Sequence, residues 1–222
     1  MIDHLWLPHG ISTYSPRIDF LFTLIFWITL VVWILVTVAM IVFMVQYRHR
    51  PGHKAVYIEG NPRLEVLWTV VTAIILIALA LLSRSTWANI KEAGPPGDVF
   101  FKVTAKQFNW EITYPGPDGK LGTPDDVTME NDFHVPVNKV VRFELTSKDV
   151  IHSFFVPWIR LKQDAVPGRN IHVWFDVLET GQYEIPCAEL CGFGHSGMKG
   201  TLYVQSEADY EHWLRDKYAR SK

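Results

Sequence analysis

At 222 residues and a formal net charge of only −2, the chain has no basic excess of the kind that neutralises phosphates, which sets nucleic acid aside as a partner. Its 49% apolar content is unevenly placed: nearly all the apolar density lies before about residue 90, while the remainder alternates polar with apolar residues and holds most of the Asp and Glu. That asymmetry implies two environments and not one shared core.

Residues 1 to 16, with Pro8, Gly10 and Pro16, read as a short irregular arm. They lack the positive start and small-residue cleavage pattern of a removable signal peptide, so none is expected. From Phe20 to about Val45 the run FLFTLIFWITLVVWILVTVAMIVFMV contains no charge and exceeds the ~20 apolar residues that a helix needs to cross a bilayer. A buried helix of a soluble domain would not be apolar all round over such a length. The polar loop that follows carries Arg48, Arg50, Lys54 and Arg63 against Glu59, which the positive-inside rule places in the cytoplasm. A second span over about 66–83 ends at Ser83, Arg84 and the interfacial Trp87. Residues 1–96 are therefore expected to form an arm and a transmembrane hairpin, a multi-pass cell-membrane anchor with both termini on the outer, periplasmic side. Glu65 stands at the cytoplasmic mouth of the second span, where the residues alone favour a solvated helix-end carboxylate over a proton-handling group.

After Gly94-Pro95-Pro96-Gly97 the pattern changes to period two, opening a domain over 97–222. The stretches 100–114, 139–147, 152–158, 170–178, 182–186 and 199–206 read as strands separated by Pro, Gly, Asn and Asp turns. Six or more short strands in about a hundred residues predict an all-β sandwich or Greek-key barrel. From Ser206 to about Arg220 a helix is predicted, with Ser206 and Asp209 forming a capping-box-like start and Tyr210, Trp213, Leu214 and Tyr218 on one face. The Gly-rich acidic stretch Asp118–Asp126 lacks the alternating oxygen ligands and distal Glu of a calcium loop, so it reads as a solvated hairpin tip.

The chemistry concentrates in Cys187-Ala-Glu-Leu-Cys191-Gly-Phe-Gly-His195-Ser-Gly-Met198, which holds both cysteines of the chain. Cysteines at this spacing form a small-loop disulfide in many oxidising environments. His195 and Met198 directly after them, and His152 upstream, favour a metal instead. Thiolate with imidazole selects copper or zinc, and a thioether favours copper, because zinc sites are built from Cys, His and carboxylate. A mononuclear blue-copper site uses two His, one Cys and a weak Met, so one thiolate is left over. Two thiolates in one loop can bridge two copper ions, each then completed by one histidine and one weaker donor, Met198 or a main-chain carbonyl. Such a centre suits one-electron transfer and offers no open position for substrate.

With these residues in place, the chain resembles subunit II of a haem-copper cytochrome c oxidase over nearly its whole length. The motif H…CxExCGxxHxxM matches, as do His152-Ser153 and Leu161-Lys162-x-Asp164-Ala165-x-Pro167-Gly168-Arg169. The resemblance implies a cupredoxin-like Greek-key sandwich with a C-terminal helix, carried by the transmembrane hairpin. It also implies a binuclear copper CuA centre held by His152, Cys187, Cys191, His195, Met198 and the backbone carbonyl of Glu189. The Glu189 carboxylate is implied as a magnesium ligand at the border with subunit I, and Glu65, in Glu65-x-x-Trp68-Thr69, as the start of a proton path into that subunit. Electrons are expected from a cytochrome c-type donor and are passed to haem in subunit I, where oxygen is reduced to water with proton translocation. No group in this chain is expected to perform the oxygen chemistry.

Three departures stand out. Where the family commonly opens an aromatic segment with tryptophan after a glutamine, Gln107 is followed by Phe108-Asn109-Trp110, which makes Trp110 and Phe108 the candidates for receiving the electron. Thr72 replaces a frequent proline, and no Cys-x-x-Cys-His marks a fused haem domain. The outer domain, with 18 acids against 14 bases from residue 97 onward, suits a basic donor. Alternatives are the same copper subunit serving another haem-copper enzyme such as a nitric oxide reductase, or a metal-free structural module whose cysteines pair.

Overall fold

The computed structural model describes residues 7–54, 56–91 and 94–220. They form two compact units, one of Arg17–Asn89 and one that joins Ile90 onward to the arm ending at Pro16.

The first unit is built on helices α1 (Ser15–Gln46) and α2 (Pro62–Lys91). At a rise of ~1.5 Å per residue, their 32 and 30 residues exceed the ~30 Å of a bilayer's hydrocarbon core. No part of either apolar window is buried by the protein itself, and Trp33, Leu35, Ile74 and Ile77 lie open. Side chains of this kind need an apolar solvent, which only lipid or a partner subunit supplies. Both helices outrun the predicted spans, because helical hydrogen bonding continues through polar residues such as Ser83–Lys91 once a long apolar segment has nucleated it. The start of α2 is capped by Asn61, whose Oδ1 accepts from the backbone N–H groups of Arg63 at 3.1 Å and Leu64 at 3.3 Å. Pro62 takes the first helical position, where its missing N–H matters least.

Among the described residues the second unit holds ten strands: β1 (Val99–Lys106), β2 (Asn109–Tyr114), β3 (Val127–Glu130), β4 (Asp132–Pro136), β5 (Val140–Ser147), β6 (His152–Val156), β7 (Leu161–Ala165), β8 (Ile171–Asp176), β9 (Gly181–Pro186) and β10 (Lys199–Gln205). They form a sandwich of a five-stranded sheet in the order β3-β2-β1-β5-β8, a three-stranded sheet β4-β10-β9 and the hairpin β6-β7. A bridge between Phe154 and Cys187 stitches β6 to the end of β9. Parallel pairs β1/β5 and β4/β10 mark where the chain crosses between layers.

The stretch expected as one strand over 100–114 is two. β1 and β2 pair antiparallel with Lys106 opposite Asn109, so Gln107 and Phe108 make the turn. Neither is a turn-forming residue. The bend is held from elsewhere, by the Gln107 N–H donating to the Asp149 carboxylate at 2.7 Å. Strands β3, β4 and β7 lie outside the stretches that the sequence pattern marks. β4 shows no alternation because it is covered on both sides, with four of its five residues buried.

Between the layers Phe101, Phe133, Phe143, Phe154 and Phe175 are all buried, with Phe101 and Phe133 in an edge-to-face pair 4.7 Å apart. The strictly alternating burial along β5 aims Val141, Phe143 and Leu145 into this core. Helix α3 (Glu207–Arg220) closes one side. Ser206 starts it, its hydroxyl accepting from the Asp209 N–H at 3.2 Å and donating to the Asp209 carboxylate at 2.6 Å. Its Trp213 stacks on His134 of β4 at 4.0 Å. Residues 7–16 pack against this unit: Ile11 is buried, its N–H donates to the Trp158 carbonyl, and its own carbonyl accepts from Leu178 N–H, each at 2.9 Å.

Candidate metal centre

The ligand loop is the connection of the antiparallel hairpin β9-β10. Pro186 pairs with Lys199, and the Cys187 N–H then donates to the Met198 carbonyl at 3.0 Å, so the first and last donors of the loop meet at its base. One residue on, Ala188 N–H donates to the Ser153 carbonyl of β6 at 3.0 Å, which fixes the loop beside the strand that supplies His152. A short 3₁₀ turn over His195–Gly197 folds the far half back. Two glycines permit the fold. Gly192 has φ of 134°, where L side chains rarely go, and a Cβ there would stand 2.8 Å from Gln107 Nε2. A Cβ on Gly194 would meet the Phe108 ring at 2.5 Å.

This framework brings the soft donors together. Cys187 Sγ lies 3.9 Å from Cys191 Sγ and 3.9 Å from His152 Nδ1. Cys191 Sγ lies 3.6 Å from His195 Nδ1 and 3.8 Å from Met198 Sδ. The Cys187 thiol also points at the Glu189 carbonyl at 3.3 Å. Metal bonds of ~2.0–2.3 Å to nitrogen and sulfur separate neighbouring donors of a tetrahedral site by about 3.3–3.8 Å, so donors 3.6–3.9 Å apart stand within about 0.1 Å of metal-binding spacing. Both cysteines are free thiols. Two thiolates, two imidazoles, a thioether and a carbonyl form a soft set that fits copper better than any hard cation.

The setting is dry and charge-sensitive. His152 is fully buried, and Met198, Cys191 and Cys187 are buried as well. Burial, and the neighbouring Cys187, push the Cys191 thiol up to about 11, so Cys191 loses its proton readily only to a cation that replaces it. His152 Nε2 lies 2.8 Å from Asp149 Oδ1. Burial raises the Asp149 carboxyl, but contacts with His152 and the N–H groups of Gln107 and Val150 outweigh it and bring the carboxyl down to about 2.

The remaining candidates lie around this core or apart from it. The Glu189 side chain is exposed, as are Leu190 and Phe193 beside it. Trp110 is fully buried, its ring 6.2 Å from that of His152, whereas Phe108 is partly exposed over Gly192 and Gly194. Glu65 occupies the first turn of α2, exposed, where the helix dipole favours a carboxylate. Asp149 carries no mark of its role in the sequence beyond its place three residues before a ligand histidine, and Gln107 stands out there only as the residue before the aromatic segment. Gln107 Nε2 donates to the Cys191 carbonyl at 2.6 Å.

Comparison with known proteins places the chain among relatives of one family. The family described as "Cytochrome C oxidase subunit II, periplasmic domain" matches residues 103–205, and "Cytochrome C oxidase subunit II, transmembrane domain" matches residues 3–85. The alternative cytochrome c oxidase subunit 2 of Bradyrhizobium diazoefficiens is 32% identical over 234 residues, covering 96% of this chain and 83% of the relative. Cytochrome c oxidase subunit 2 of Thermostichus vulcanus is 29% identical, covering 97% of this chain and 80% of the relative. Among solved structures, the crystal structure of the periplasmic domain of subunit II of cytochrome oxidase from Bradyrhizobium japonicum superposes with a TM-score of 0.52 at 30% identity, covering 58% of this chain and 99% of that one. With two apolar helices, a β-sandwich carrying a soft-donor loop and both family profiles matched in order, this membrane protein belongs to the cytochrome c oxidase subunit II family, a component of an oxidoreductase complex.

Proposed function

We propose that this chain is the electron-receiving subunit of a terminal oxidase, with His152, Cys187, Cys191, His195, Met198 and the Glu189 carbonyl holding a binuclear copper centre. The observation that carries it is the convergence of two free buried cysteines with two imidazoles and a thioether at 3.6–3.9 Å. When bound, the copper pair takes up and releases one electron at a time. Everything else is the chain's own work. The hairpin base and the Ala188–Ser153 hydrogen bond hold the sulfurs on a rigid sheet, so they shift little when charge changes. Burial of His152 and Met198 keeps water out. Phe108 offers an exposed aromatic edge to a cytochrome c-type donor, and Trp110 packs next to His152.

In this reading the acceptor is haem in subunit I, and oxygen reduction and proton translocation occur there. The β domain and both termini lie on the outer side, and the Arg48–Lys54 loop lies in the cytoplasm. Glu65 opens a proton path, and the exposed Glu189 carboxylate reaches magnesium at the border with subunit I. The test is EPR and visible absorption of the purified oxidase and of the isolated full chain. A mixed-valence binuclear copper signal is expected. A purely mononuclear copper signal, or a Cys187–Cys191 disulfide in the copper-loaded enzyme, would overturn it.

A further inference from the structure

The Asp149 carboxylate is fixed on both oxygens. Its Oδ2 accepts from Gln107 N–H at 2.7 Å, and its Oδ1 accepts from Val150 N–H at 2.7 Å. The loop that carries it is tied to β1 by Lys148 N–H donating to the Ala105 carbonyl at 3.0 Å. The carboxylate is therefore aimed before any metal arrives, and it faces His152 Nε2 at 2.8 Å. The imidazole is fully buried, so no bulk water competes for its nitrogens.

A neutral imidazole has one N–H and one lone pair, and an ionised carboxylate only accepts. The proton therefore belongs on Nε2, since the other tautomer would set a lone pair against a carboxylate oxygen at hydrogen-bonding distance. Nδ1 is then left unprotonated, and it is the nitrogen that faces Cys187 Sγ at 3.9 Å. We propose that Asp149 is the positioning residue that locks His152 in the Nε2–H tautomer and so presets Nδ1 as a metal donor. This rests on the copper reading above, but its first consequence is present in the metal-free chain. Asp149 touches no metal in this role. It acts through the ring, fixing its orientation as partners of ligand histidines do.

The experiment uses the full chain in detergent with ¹⁵N-labelled histidine. Without metal, His152 is expected to show a protonated Nε2 and an unprotonated Nδ1. In Asp149→Ala the signal should move to the Nδ1–H form or a mixture, and copper retention against a chelator should fall about 10- to 100-fold. Asp149→Asn, whose amide oxygen still accepts, should recover most of both. A wild-type His152 protonated on Nδ1 overturns the proposal without any variant, so misfolding of Asp149→Ala cannot shelter it. An Asp149→Ala chain with unchanged tautomer and copper retention overturns it too. A wild-type chain with the expected tautomer but no binuclear spectrum overturns the copper assignment instead, which separates the two failures.

Discussion

The three glycines of the ligand loop are predicted to differ sharply when each is replaced by alanine. Gly192→Ala meets two penalties: a φ of 134°, for which strain of ~1–3 kcal/mol is typical, and a Cβ 2.8 Å from Gln107 Nε2. Moving that amide breaks its 2.6 Å hydrogen bond to the Cys191 carbonyl, worth ~0.5–1.5 kcal/mol. The sum is about 2–4 kcal/mol, or about 30- to 700-fold in copper retention at ~1.4 kcal/mol per tenfold. Gly194→Ala places its Cβ 2.5 Å from the Phe108 ring, an overpacking of ~1–3 kcal/mol, about 5- to 150-fold. Gly197→Ala has nothing within 4 Å and should stay within ~0.5 kcal/mol. Chelator competition on the copper-loaded full chain measures all three. Phe108→Ala should restore most of the loss in Gly194→Ala but leave the backbone strain at Gly192 in place. If Gly197→Ala is as damaging as Gly192→Ala, or Phe108→Ala fails to relieve Gly194→Ala, the packing account of the loop is wrong.

Replacing Cys187 or Cys191 by serine removes one bridging sulfur, so the binuclear spectrum should vanish in each variant while far-UV circular dichroism stays unchanged; a persisting binuclear signal would refute the two-thiolate bridge. The depressed Asp149 carboxyl, about 2 in the fold against 3.8 ordinarily, stabilises the metal-free domain above pH ~4. That contribution, ~2.4 kcal/mol before solvent screening of this exposed carboxylate and smaller after it, should fade as pH falls toward 2, and Asp149→Asn should flatten this part of an acid-unfolding curve. Ser206→Ala deletes the cap of α3 and should cost about 1 kcal/mol in a denaturant melt, with no change in copper content. Glu65→Gln should lower turnover and proton release in the assembled oxidase while leaving the copper spectrum intact; unchanged turnover and pumping would remove Glu65 from the mechanism.

Much of this architecture is written in local patterns. The uncharged run from Phe20 marks α1, and strict alternation marks β5 and β2, because one face of each strand meets the Phe101–Phe175 core and the other does not. Ser206 and Asp209 announce α3 for an equally local reason. What stayed hidden depends on distant partners. The Gln107–Phe108 turn has no turn residue of its own and is held by Asp149, about forty positions later. Strand β4 hides its period because β10 runs beside it and Trp213 of α3 covers His134. Within the site, donor types and spacing were legible, since four of the five side-chain donors lie within twelve residues. The alignment of His152 by Asp149 and the brace from Gln107 to Cys191 were not, because each joins segments that only the folded sandwich brings side by side.

The closure of the donor loop at Pro186 and Lys199 has an engineering consequence. Four of the five side-chain donors sit in a segment that leaves and re-enters one antiparallel ladder at a single rung, Pro186 opposite Lys199. Its length and chemistry can change without shifting the register of a single strand, as with a cartridge in a fixed socket. Exchange of that cartridge would turn the same sandwich into a one-metal or metal-free module, with His152 the only side-chain donor left behind in the socket wall.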